Sequence, residues 1–258
     1  MYPNDYECLG QLSFADYIAE PCEINKPIRL IELFAGYGSQ AMALRNLGAD
    51  FTHHRVVEFD KYAIASYNAV HGTDFPTIDI RSVTGDSLGI TEKEKYCYIM
   101  VYSFPCTDIS VAGRQAGFEE GSGTRSSLLW EVKRILNELN ATGSLPQILL
   151  MENVTAIHSK VNAQHFAKWL NFLEDIGYST FVQDLNASDY GVAQNRDRTF
   201  ALSILGNGRY TFPTTIDLDK CIEDYFEDLS DEDALRLIVK SDKAKELLIE
   251  LDEKGTLE

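Results

Sequence analysis

Cys106 directly follows Pro105, at the end of an apolar run from Tyr96 to Tyr102. A free thiol has an ordinary pKa of about 8.5, so it needs a nearby positive charge or a helix N-terminus to act as a nucleophile at neutral pH. Without one, Cys106 is a small core residue. Glu152 ends a second apolar run, Ile148 to Met151. Desolvation there raises a carboxyl pKa and lets it donate a proton to a ring nitrogen; the ordinary alternative is an N-cap. Arg196 and Arg198 alternate in the stretch Gln194 to Arg198. On an extended segment both face one side, as a clamp for a phosphate or base edge or as surface ion-pair partners. Gly36 and Gly38 allow a tight turn and a close ligand approach, and Glu58 lies 20 residues beyond Gly38, where a carboxylate accepts from both hydroxyls of a ribose. Ala41 replaces the third glycine of the dinucleotide fingerprint, which argues against NAD. A plain strand-to-helix turn remains the simpler reading of these glycines.

These residues fall at the ends of regularly spaced elements. Strands are expected at 28–34, 52–59, near 76–79, 96–102, 147–152, 178–186 and 198–205. Helices are expected at 39–48, 61–72, 126–140 and 163–177, the third with Leu128, Val132, Ile135 and Leu139 on one face. Thr91 to Glu94 fits a capping box for a short turn. The alternation predicts an α/β fold, a mostly parallel Rossmann-like sheet with helices on both faces, whose ligands bind beyond the carboxyl ends of the strands. The glycine-rich loop after Cys106, with Arg114 and Arg125, has the length of a lid or binding loop.

The chain divides into an N-terminal extension (1–26), a catalytic domain (27–212) and an acidic helical tail (213–258). Of the net charge of −17, the tail carries nine negative charges, from 15 acidic and 6 basic residues. That acidity repels a phosphate backbone at long range, but it is concentrated in the tail and leaves room for a basic groove in the body. In the tail, Leu235, Ile238, Leu247 and Leu251 form an apolar stripe, suited to a solvated appendage or to partner docking. Five cysteines without a CxxC pair indicate reduced thiols and a cytoplasmic setting, in a bacterium or in a host cell if the source is viral. Adjacent His53 and His54 point to opposite faces of a strand, so no metal site is expected. No apolar run is long enough to span a membrane, and the N-terminus lacks a signal-peptide pattern.

In order along the chain stand FAGYG, EFDKYAIASYN, IDI, FPCTDIS, MENV and QNRDR. From Ile28 to Leu205 this set resembles the DNA cytosine-5 methyltransferase family. The resemblance implies transfer of a methyl group from S-adenosyl-L-methionine to carbon 5 of cytosine in DNA, on a flipped-out base. Cys106 would add to carbon 6, Glu152 would engage ring nitrogen 3, and Arg196 and Arg198 would support the base and the cysteine region. It also implies a cofactor site of Phe34, Ala35, Gly36, Gly38, Glu58, Phe59, Asp79, Pro105 and Leu128. Substrate contacts would come from Ser110, Arg114, Arg125, Asn153 and Val154.

The match has departures. Thr107 stands where the family usually has Gln, and Phe104 where it usually has Gly. Only an acidic stretch of about 50 residues follows the resemblance, with no recognition domain and no late Gly-Asn motif found in it. This pattern implies a catalytic half that depends on a second subunit carrying the recognition domain, or a truncation. An inactive cofactor- or partner-binding module and a transfer RNA cytosine-5 methyltransferase are the alternative functions, and a nucleotide-dependent oxidoreductase is a further one.

Overall fold

The computed structural model describes residues 23–109, 117–238 and 240–255. Six strands form one sheet: β1 (Ile28–Leu33), β2 (Phe51–Val57), β3 (Cys97–Tyr102), β4 (Ile148–Asn153), β5 (Tyr178–Asn186) and β6 (Asp197–Leu205), in the order β2-β1-β3-β4-β6-β5. The first four run parallel, and β6 is antiparallel to both β4 and β5. Helices α1 (Ser39–Asn46), α2 (Lys61–His71), α3 (Leu129–Ala141) and α4 (Ala163–Asp175) alternate with the strands as crossovers.

β3 sits centrally and buries all six of its residues. Tyr98, Met100 and Tyr102 meet Val132, Ile135 and Leu136 of α3 and Trp169 of α4 on one face. Cys97, Ile99 and Val101 meet Ala41 of α1 on the other. An unbroken apolar strand is what a parallel sheet covered on both faces requires. α3 and α4 are amphipathic, and their apolar stripes include Leu129, Leu139, Phe166 and Leu173. Trp169 is fully buried, and its indole N–H donates to the Tyr102 hydroxyl at 3.2 Å.

The expected strand near 76–79 is absent. That segment makes a single ladder-like bond, Ile78 N–H to the Glu58 carbonyl at 2.8 Å. It then turns into a 3-10 helix, Ile80–Ser82, capped by Asp79. An Asp side chain that caps the next turn competes with strand pairing. The expected capping box at 91–94 is also replaced: Glu92, at φ 53, pairs instead with Lys95 and Arg29.

After β6 the chain stays on the body as far as Ile216, whose N–H bonds the Asp189 carbonyl at 2.9 Å, while the Tyr190 hydroxyl donates to the Pro213 carbonyl. Two acidic helices follow, α5 (Asp231–Leu237) and α6 (Asp242–Glu253), neither with a buried residue. Among the described residues, no helix is long and apolar enough to cross a membrane.

Candidate active site

The sheet order reverses between β1 and β3: the chain leaves β1 towards β2 on one side and leaves β3 towards β4 on the other. Ligands in open α/β sheets bind at such a switch point, beyond the carboxyl ends of the strands. The turn after β1 and the Cys106 loop after β3 flank it. The Gln40 side chain, in the first turn of α1, reaches Ser103 Oγ at 3.5 Å and links the two.

Gly36 and Gly38 have φ of 56° and 83°, in the left-handed region that glycine enters freely. A Cβ at Gly36 would meet nothing within 4 Å, so the turn opens onto free space. A Cβ at Gly38 would lie 2.3 Å from His71 Nε2 and 2.6 Å from Tyr67, so here glycine is required by packing as well. Phe34 shares the left-handed conformation at φ 58°, an uncommon state for a bulky residue, and it packs on the core beside β1. Ala35 is buried, and its N–H bonds the Val57 carbonyl.

Glu58 directly follows β2, with one oxygen accepting the Gly36 N–H at 2.9 Å and the other accepting the Asp60 N–H at 2.8 Å. Asp60 in turn caps α2 through the N–H groups of Tyr62 and Ala63. Glu58 is therefore held against the glycine turn. The neighbouring Phe59 ring is 72% exposed, an aromatic face left open to a flat ligand. Asp79 is brought alongside by the Ile78–Glu58 bond, and its carboxylate accepts the Arg81 N–H and pairs with the Arg81 guanidinium at 3.3 Å. An open turn, a fixed carboxylate and an exposed ring suit a nucleoside-containing cofactor.

Cys106 is a free, half-buried thiol in the loop after β3. Its carbonyl accepts the Ile109 N–H. Buried Asp108 and Ser126 bond reciprocally: the Ser126 hydroxyl accepts the Asp108 N–H, and the Asp108 carboxylate accepts the Ser126 N–H. The Trp130 indole donates to the Phe118 carbonyl at 2.7 Å. These bonds fix both stems of the loop on α3. Pro105 and Leu128 lie partly buried on either side of it. Ser110 and Arg114 lie outside the described residues, and Arg125 is exposed where the loop rejoins α3.

On β4, the strand next to β3, Glu152 Oε1 pairs with Arg198 Nε of β6 at 3.0 Å, with the carboxylate side chain 23% exposed. Glu152 is thus held by a cation across the sheet rather than isolated in apolar surroundings. The antiparallel β4–β6 register sets Glu152 opposite Phe200, so a β6 residue near its start reaches it. Arg196 precedes β6 and is exposed, so the two arginines that alternate in sequence occupy different settings. Asn153 was expected to contact substrate. Instead it is buried, its amide donating to the Phe104 carbonyl at 3.1 Å and its side-chain oxygen accepting the Val154 N–H. It positions the Cys106 loop beside Glu152, and Val154 packs against the core.

Sequence reasoning missed the residues beneath the glycine turn. Buried Glu32 of β1 bonds the Tyr67 hydroxyl of α2, and His53 Nδ1 lies 2.6 Å from the same hydroxyl. A glutamate inside the apolar run of β1 was the available signal. His53 and His54 diverge, as expected: His54 faces the Leu88 and Gly89 carbonyls. Among the described residues, no group of three or more His, Cys, Asp or Glu is arranged to hold a metal ion.

The mixed sheet, with its switch point between the glycine turn and the Cys106 loop, has a Rossmann-like architecture. Solved structures agree on the fold. The Entamoeba histolytica methyltransferase EhMeth superposes with a TM-score of 0.63 at 18% identity, covering 81% of this chain and 62% of that one. The S. pombe Dnmt2 methyltransferase gives 0.53 at 21%, covering 77% and 53%. The chain belongs to the C-5 cytosine-specific DNA methylase family, whose model matches residues 28–253. It is 34% identical to the type II methyltransferase M2.ScrFI of Lactococcus lactis subsp. cremoris over 78% of this chain and 68% of that protein. It is 31% identical to the orphan methyltransferase M.SssI of Spiroplasma monobiae over 70% and 60%, and 30% identical to the type II methyltransferase M.HhaI of Haemophilus parahaemolyticus over 82% and 60%. The chain thus spans 60% to 68% of the length of these relatives.

Proposed function

We propose that this chain is the catalytic part of an enzyme that methylates carbon 5 of cytosine in DNA through a covalent Cys106 adduct. The observation that carries the reading is the Asn153–Phe104 bond, which ties the Cys106 loop to the strand end bearing the Glu152–Arg198 pair. The strand that leads to Cys106 lies next to β1 and its glycine turn, and the strand that ends with Glu152 and Asn153 lies next to that one.

Cytosine carbon 5 is a weak nucleophile. Cys106 Sγ adds to carbon 6 while Glu152 hydrogen-bonds or protonates nitrogen 3, so that electron density moves to carbon 5. A positioned acid of this kind contributes about 10²- to 10⁴-fold. Arg198 holds Glu152 in place and stabilises the charge that develops near it. S-adenosylmethionine supplies the methyl group. Glu58 would hold its ribose, Phe59 would lie against the adenine, and Gly36 and Gly38 would let it approach the backbone. Loss of the carbon 5 proton to a water molecule then re-forms the double bond, expels Cys106 as its thiolate and lets nitrogen 3 return its proton to Glu152. The target base has to leave the duplex stack to reach the thiol, at a cost of about a few kcal/mol.

The recognition function is proposed to come from a second component, for which the exposed apolar residues Leu235, Leu237, Leu247 and Ile249 offer a surface. Residues 27–212 form the catalytic domain in this reading.

Mass spectrometry of the chain with S-adenosylmethionine and a 5-fluorocytosine duplex tests the reading. A covalent adduct that disappears in Cys106→Ser is expected, formed only when the recognition region of a relative is supplied in trans. Its absence with that region present overturns the catalytic reading. Robust, site-specific adduct with the lone chain overturns dependence on a partner.

A further inference from the structure

Beneath the glycine turn lies a cluster that the proposed chemistry does not use. Glu32 of β1 is 1% exposed, and its Oε1 has no hydrogen-bond partner. Its Oε2 shares a very short hydrogen bond with the Tyr67 hydroxyl, which also lies 2.6 Å from His53 Nδ1. The flanking β2 and β3 positions are apolar, Val56 and Val101. The titratable and charged groups facing the cluster are His53 from β2, Tyr67 and His71 from α2, and Arg45 from α1. The His71 and His53 rings are 5.0 Å apart, and Arg45 contacts His71 Nδ1 at 2.7 Å. His71 Nε2 donates to the Tyr37 carbonyl between the two glycines, and Gly38 packs on Tyr67 and His71. The cluster therefore carries the turn.

One phenolic proton serves two neighbours. When Glu32 is ionised, Tyr67 donates to it and His53 Nδ1–H donates to Tyr67. When Glu32 is protonated, it donates to Tyr67, and Tyr67 donates to His53 Nδ1. Both arrangements satisfy the chain, and they differ by one negative charge under the turn. Burial pushes the Glu32 carboxyl up to about 7, against the pull of the Tyr67 hydroxyl. Burial, followed by His71 and Arg45, pushes His53 down, so its ring is the neutral relay that the chain needs.

We propose that Glu32, Tyr67 and His53 form a proton-sharing chain under the Gly36–Gly38 turn that couples retention of the sulfonium cofactor to the charge on Glu32. They act as positioning residues without touching the reacting atoms. The inference rests on the S-adenosylmethionine reading above. An ionised Glu32 favours the cationic cofactor, whereas the product, S-adenosylhomocysteine, lacks the sulfonium charge and gains less.

Titration calorimetry of both ligands against the full chain, from about pH 6 to about pH 8 in two buffers of different ionisation enthalpy, reads the coupling. S-adenosylmethionine affinity is expected to rise roughly three- to tenfold with pH, the size of a half-unit to one-unit pKa difference between free and bound protein. Proton release on binding is expected near neutrality, with a smaller rise for S-adenosylhomocysteine. Glu32→Gln is expected to flatten the profile and abolish the release. His53→Asn, at a half-buried position, is expected to shift the midpoint, and it serves if Glu32→Gln does not fold. A uniform loss of affinity at every pH in the variants, or a flat wild-type profile, overturns the coupling and leaves the cofactor reading intact. Failure of both ligands to bind at any pH removes the cofactor reading and this inference with it.

Discussion

The sheet body and the segment beyond Ile216 use similar apolar residue types to opposite ends. In the body, Trp169, Tyr102 and Met100 are fully buried between α4 and β3. In the tail, Leu235, Leu237, Leu247 and Ile249 stay exposed on helices held by local ion pairs such as Arg236–Glu232. Local pairs and caps define a helix, but most helical stability in proteins comes from burying an apolar face. The body is therefore a self-sufficient core, and the tail is a surface whose apolar side chains lack cover among the described residues.

Four measurements break or sharpen that contrast. Trp169→Ala removes a fully buried ring, and a loss of about 3–5 kcal/mol in denaturant unfolding is expected; a loss under about 1 kcal/mol would show that the body is not the stabilising unit. Glu32 comes next. Its folded carboxyl is raised from 4.5 to about 7 by burial, so the folded state binds the extra proton. Its contribution to stability is full below pH 4.5 and is lost as pH rises through about 7, by at most about 3 kcal/mol. Unfolding of Glu32→Gln across this window is expected to lack that slope, and an unchanged slope would place the titration elsewhere. Gly38→Ala adds a Cβ at φ 83° against His71 and Tyr67. A cost of about 1–2 kcal/mol from the backbone alone, together with weakened S-adenosylhomocysteine binding, is expected. Leu247→Ala in the tail should change the stability of the lone chain by less than about 0.5 kcal/mol. A larger loss would mean that the tail packs onto something in solution.

Much of the fold was legible because its signals are local. An apolar run such as Cys97–Tyr102 in a 258-residue chain reads as a covered strand, and the apolar stripe of Leu129–Ala141 reads as a helix face. The segment at 76–79 misled because its extended residues make one backbone bond rather than a ladder, and sequence does not count neighbours. Cys106, Glu152, Gly36, Gly38 and Glu58 stood out by type and spacing. Arg196 and Arg198 stood out as an alternating pair, but that Arg198 pairs with Glu152 follows from the antiparallel register of β4 and β6. The family resemblance implied a substrate contact for Asn153, whereas in the structure strand alternation turns it inward to the Phe104 carbonyl.

By itself the sequence determined the alternation of elements, the glycine turn with its acidic companion, and the uneven charge between body and tail, because each depends on residue type and short-range spacing. Tertiary structure decided which strands are neighbours, and hence that the switch point falls between the turn and the cysteine loop. It also decided that Glu32, Tyr67 and His53 meet, since residues 35 and 21 positions apart from Glu32 come into contact only when β1, β2 and α2 pack together. Long-range pairing costs chain entropy that only the assembled core offsets, so no local pattern records it.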